Sequence, residues 1–194
     1  KISIMNRRDA LSRVALILGG TVVGANAFLE GCKPADKKAA AARTFSDGDS
    51  AYLDEIADTI IPTTNTPGAK AAKVGAFMTV MVNDCYDEKD QQTFFDGMKL
   101  LNEASDKKFG KSFMDIDAAQ RKTLLTEIDA EAKKYMADKK SEDPKHYFRM
   151  MKELTLLGYF TSEIGATQAL RYIAVPGKYE GCVPYKKGDR AWAT

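Results

Sequence analysis

The chain has 194 residues with 29 basic and 27 acidic side chains, one histidine and three cysteines. Four of the basic and two of the acidic residues fall within Lys1–Cys32, which leaves 25 of each in the remainder. That neutral balance excludes nucleic acid and anionic membrane surfaces as the main partner, since both demand clustered excess positive charge.

The first stretch, "MNRRDALSRVALILGG" from the expected start at Met5, places Arg7 and Arg8 directly ahead of an apolar run. This is the layout of a twin-arginine export signal, a route that carries proteins already folded, often around a cofactor. The run from Val14 to Leu29 contains Gly19, Gly20, Gly24 and Asn26. It is short of the roughly 20 apolar residues that cross a bilayer comfortably, so a cleaved signal is the better reading than a permanent span. It ends in Leu29-Glu30-Gly31-Cys32, which is similar to the processing box of a bacterial lipoprotein, with Cys32 as the lipidated residue; ordinary cleavage nearby is the alternative. A lipid on Cys32 would tether the protein to a membrane without making it integral. "KPADKKAAAAR" then reads as a polar tether. The expected organisation is a signal over 1–32, a linker over 33–46 and one helical domain over 47–194.

Five segments of the domain carry helical spacing. Ser46–Ile61 begins with a capping residue, places Leu53, Ile56, Ala57 and Ile60 on one face, and is stopped by Pro62. "PTTNTPGAKAA" must be loop. Helices follow over Ala71–Tyr86, Lys89–Lys107 and Asp117–Lys140; in the last, Asp117 caps with Gln120 three residues on, and Leu124, Leu125, Ile128 and Ala132 share a face. Lys145–Leu157 is a fifth helix, with Gly158 expected to break it before a short helix through Arg171. From Ile173 onward glycine and proline recur without helical period, and no stretch alternates long enough to be a strand. The fold class is therefore all-α: one helical bundle with an irregular, Pro/Gly-rich C-terminal tail.

The motifs of common chemistries are missing. His146 is the lone histidine, and Asp143-x-x-His146 cannot supply the paired motifs of a di-iron bundle, so it reads as a surface or capping residue. Asp47, Asp49 and Asp58 lack the central glycine of a calcium loop, and Asp84, Asp87, Glu88 and Asp90 sit at a helix junction where carboxylates help a helix begin. There is no G-x-G-x-x-G, no G-x-S-x-G and no C-x-x-C-H. We assign no catalytic, cofactor-binding or metal-binding residue to the chain.

Two features remain. With Cys32 lipidated, Cys85 and Cys182 form an even pair in an oxidising compartment; a disulfide fastening the tail to an earlier helix, two free thiols, and a bridge to another subunit are all open. Aromatics gather in the last third, at Tyr159, Phe160, Tyr172, Tyr179, Tyr185 and Trp192. Such residues suit an interface, and equally a tail folded back on its own bundle.

"DEIADTIIPTTNTPGAKAAKVGAFM" and "FRMMKELTLLGYFTSEIGATQALRYIAVPGKYEGC" together resemble the gluconate 2-dehydrogenase subunit 3 family. The resemblance is carried by Ile61-Pro62-x-Thr64-x-x-Pro67-Gly68-Ala69, by Thr161-Ser162-Glu163 with Gly165, and by Val175-Pro176-Gly177 followed by Tyr179, Gly181 and Cys182. It implies a non-catalytic small subunit that escorts, stabilises and anchors a FAD-dependent sugar or polyol dehydrogenase of the glucose-methanol-choline type. In that picture the FAD lies in the partner, a cytochrome subunit can complete the complex, and the export signal serves both chains from the bacterial cytoplasm to the periplasm or envelope. Partner-contact candidates are Pro62, Thr64, Pro67 and Gly68 of the loop, and Tyr159, Phe160 and Ser162 ahead of the tail. In the tail they are Tyr172, Pro176, Tyr179, Tyr185 and Trp192. The alternative is a free-standing helical envelope lipoprotein whose tail is closed onto its core by a Cys85–Cys182 disulfide.

Overall fold

A computed structural model of the chain describes residues 44–175, 177–178 and 180–193. Arg7, Arg8, Cys32, Pro176 and Tyr179 lie outside the described residues. The helices are α1 (Asp47–Ile60), α2 (Val74–Cys85), α3 (Glu88–Phe109), α4 (Ala118–Asp138) and α5 (Tyr147–Thr161), followed by a π-helical turn over Gly165–Ala169. Among the described residues there is no strand, only an isolated parallel bridge between Arg171 and Trp192.

The helix starts follow local chemistry. Ser46 and Asp49 form a reciprocal capping box at α1, with Asp49 Oδ2 accepting from Ser46 N at 2.8 Å, and Asp117 and Gln120 do the same at α4. Asp87 caps α3 by accepting from Asp90 N at 2.8 Å, and Gly110 ends it at φ 67°, where a side chain is disfavoured. At α5 the cap is His146, whose Nδ1 accepts from Phe148 N at 3.2 Å. α2 differs: its N-cap Lys73 is left-handed at φ 52° with no side-chain cap. Asp54 of α1 supplies the missing acceptor, its Oδ1 taking Gly75 N at 2.7 Å.

α5 packs against each of the other four helices. Phe148, Met150, Met151, Leu154 and Tyr159 of α5 are buried with Leu53, Ile56, Met78, Phe94, Leu101, Phe113 and Leu125 from the surrounding elements. Two glycines permit close approach. A Cβ on Gly75 would stand 2.3 Å from Ser50 O of α1, and one on Gly158 would stand 2.6 Å from Cδ1 of Phe77 in α2. Gly158 therefore does not break α5, contrary to the sequence reading; the helix runs through it to Thr161 because the missing side chain makes room for Phe77. Phe45, expected in the linker, stacks on Phe95 of α3 with ring centroids 4.4 Å apart. The domain thus takes in the end of the expected tether.

Candidate functional site

The loop between α1 and α2 is built into the bundle. Ala69 N donates to Ile61 O at 2.9 Å, Gly68 N donates to Thr63 Oγ1 at 3.0 Å, and the hydroxyl of Tyr159, from α5, donates to Pro67 O at 2.6 Å. Gly68 is buried so tightly that a Cβ would stand 2.5 Å from Asp58 Oδ1 and 2.6 Å from Thr63 N. Glu55 of α1 pairs with Lys70 of the loop and with Arg121 of α4. Arg121 also donates from Nε to Phe113 O at 3.0 Å and from Nη2 to Met114 O at 2.7 Å. The hydrogen bond from Lys70, with the charges of Lys70 and Arg121, holds the Glu55 carboxyl below its ordinary range against the opposing pull of burial. One carboxylate thus ties two loops to α1.

Four of the candidate positions have duties inside the chain itself. Tyr159 and Gly68 are buried and Pro67 is half-buried with its carbonyl committed to Tyr159, so they shape the loop from inside. Pro62 and Thr64 stay exposed. Ser162 is half-buried and has a structural duty: its Oγ donates to Tyr159 O at 2.6 Å and accepts from Gly165 N at 3.0 Å, turning the chain from α5 into the π turn. A Cβ on Gly165 would stand 1.8 Å from Tyr159 O, which is why that turn needs glycine.

The tail is the opposite case. Every described residue from 172 to 192 is exposed. Tyr172, Ile173 and Tyr185 are more than half exposed, Val175 reaches 82%, and Val183 and Trp192 also face outward. Leu156, Leu157 and Phe160, in the last two turns of α5, are also exposed. The tail's two ends are joined: Arg171 N donates to Ala191 O and Ala193 N donates to Arg171 O, both at 2.8 Å. The Arg171 guanidinium lies 4.4 Å from the centre of the Trp192 ring, and Arg190 Nη1 donates to Gln168 O at 2.6 Å. Arg171 Nε is buried without a hydrogen-bond partner. Cys85 and Cys182 are free, exposed thiols, so of the arrangements left open by the sequence the structure has no Cys85–Cys182 bridge.

Sequence reasoning overlooked Leu156, Leu157, Ile173, Val175, Val183 and the clip residue Arg171. A signal was present for the first two: "MMKELTLLGYF" is apolar around nearly the whole helix, more than one buried face requires.

His146 is a capping residue, with burial lowering its pKa and the Glu131 charge opposing. Burial pushes the Tyr147 hydroxyl up to about 12, with Glu131 adding to it. Among the described residues no group of three or more His, Cys, Asp or Glu side chains is placed to hold a metal ion, and no helix is long and apolar enough to cross a membrane.

A family model described as Gluconate 2-dehydrogenase subunit 3 matches residues 47–177, from the first residue of α1 into the exposed tail. No curated protein and no solved structure matches the chain.

Proposed function

The chain belongs to the gluconate 2-dehydrogenase subunit 3 family, and from that premise we propose that it is the non-catalytic small subunit of a FAD-dependent sugar or polyol dehydrogenase. Its partner is a flavoprotein of the glucose-methanol-choline type, which holds the FAD and does the chemistry; a cytochrome subunit relays electrons where one is present. Arg7 and Arg8 direct twin-arginine export of the folded pair, and a lipid on Cys32 tethers it in the bacterial envelope.

The observation that carries this reading is the number of large apolar side chains left exposed near the C-terminal end of the chain: Tyr172, Ile173, Val175, Val183, Tyr185 and Trp192 in the tail, and Leu156, Leu157 and Phe160 on α5. So many exposed large apolar side chains in one third of a domain suit a subunit that covers them on assembly. The free-standing lipoprotein alternative needs a tail closed onto its own core, and the free thiols and outward-facing tail count against it.

The test is co-expression with a glucose-methanol-choline-type flavoprotein dehydrogenase from the same genome, with an affinity tag on this chain. The expected product is a yellow complex with flavin absorbance. A colourless monomer, recovered while the flavoprotein is intact in the same extract, rejects the proposal.

A further inference from the structure

Charge in this chain is segregated. Residues 171–194 carry Arg171, Lys178, Lys186, Lys187 and Arg190 against Glu180 and Asp189, a net of +3, while residues 44–170 carry 16 basic and 22 acidic side chains, a net of −6. The tail is therefore a cationic, apolar segment on an acidic body, and it touches that body only at its base, through Arg190 and Gln168, with its described residues from 172 to 192 exposed. Its own bundle is the surface present at the highest effective concentration, so acidity alone is not what the segment fits.

Its base and its tip are nevertheless tied. The Arg171–Trp192 clip closes the base. Gly177 and Gly188 stand at φ 72° and 96°, and a Cβ on either would meet nothing within 4 Å, so glycine is there for the backbone path and not for packing. At the far end Asp189 N donates to Lys186 O, and Lys186 N donates to Asp189 Oδ2, both at 3.0 Å. That turn presents Tyr185, Lys186 and Lys187 together. The tail is thus pinned at its base and turned at its tip, which limits how far the two ends can separate.

We propose that the tail, pinned at its base by Arg171 and Trp192, is a docking arm that enters an acidic recess with an apolar floor on the catalytic flavoprotein. Tyr185 and Val175 supply the apolar anchors, and Lys186 and Lys187 meet carboxylates at the rim. This rests on the function proposed above and names the element and the chemistry of the contact. A folded protein fits better than a lipid surface. The arm is no amphipathic helix, its charges alternate with its apolar residues, and the Lys178–Glu180 pair at 2.6 Å balances charge along it.

The experiment uses the full chain and the purified flavoprotein, with Kd measured in low and moderate salt for wild type, for Lys186→Glu with Lys187→Glu, for Val175→Ser with Tyr185→Ser, and for Trp192→Ala. We expect the charge reversal to weaken binding about tenfold or more and to flatten its salt dependence. The anchor pair should cost roughly 10- to 100-fold. Trp192→Ala, which changes no charge, should cost less than the anchor pair. Helical circular dichroism and melting temperature are read on each variant and should stay at wild-type values. Wild-type affinity in all three variants overturns the arm while leaving the subunit assignment intact. Two other results overturn it as well: self-association that the variants abolish, or binding to phosphatidylglycerol vesicles that the variants abolish while flavoprotein affinity is unchanged. Failure of wild type to bind the flavoprotein at all rejects the assignment itself.

Discussion

The loop at 61–73 and the tail at 171–193 look alike as sequence and differ completely as structure. Both are rich in proline or glycine and lack helical period. The first is drawn inward by Tyr159, Glu55 and its own backbone hydrogen bonds, with Gly68 and Ala69 buried. The second is closed on itself by Arg171 and Trp192 and leaves its apolar side chains in solvent. Irregular backbone thus has two uses in one chain: the loop closes the core, and the tail offers a surface. What separates them is whether a helix supplies partners for the backbone groups.

This contrast can be broken from the inside first. Phe94→Ala removes a fully buried ring at the centre of the bundle and should cost about 3–5 kcal/mol, read as a large fall in thermal midpoint. Gly75→Ala forces a methyl to within 2.3 Å of Ser50 O, where the backbone of α1 must shift; the expected cost is about 1–3 kcal/mol. Tyr159→Phe leaves the Pro67 carbonyl without its donor and should cost about 1 kcal/mol, with faster amide exchange at Gly68 and Ala69. Surface changes in the tail, such as Val183→Ser, should move stability by less than about 0.5 kcal/mol. A tail variant that melts the bundle as Phe94→Ala does would dissolve the distinction.

Acidification sharpens it further. His146 caps α5 only when its Nδ1 is unprotonated, and burial, its main influence, holds its pKa below 6.5 in the folded chain. The unfolded chain takes up that proton first as pH falls, so the stabilisation is complete above about 6.5 and is lost as pH drops through the folded value. Glu55 acts in the same direction lower on the scale: its pKa is depressed, chiefly by Lys70, and its contribution disappears as pH falls below the ordinary carboxylate range. Urea melts between pH 7 and 5.5 should show a slope that His146→Asn, a capping residue without titration, removes. An unchanged slope would show that the cap does not set it.

The helices were legible because their ends are written locally. Ser46 with Asp49, Asp117 with Gln120, and Asp87 mark starts that the structure keeps within a residue or two. The start of α2 was not legible, since its cap comes from Asp54, 21 positions earlier. Gly158 misled for a related reason: glycine marks a break only when nothing packs against the helix there, and Phe77 does. Tyr159 sits among exposed aromatics in sequence, and only the path of the loop beneath it shows that its hydroxyl is spoken for. The neutral total charge concealed an acidic body and a basic tail, because a sum over the chain carries no information about place.

In the proposed complex the bundle is a scaffold and the tail is what the partner covers. Hydrogen–deuterium exchange of the full chain, free and bound to the flavoprotein, tests this most directly. We predict strong new protection across residues 172–192 and around Phe160 on binding, with the slow amides of α1 to α5 unchanged. Protection confined to the helices, with the tail exchanging as fast in the complex as in the free chain, would contradict it.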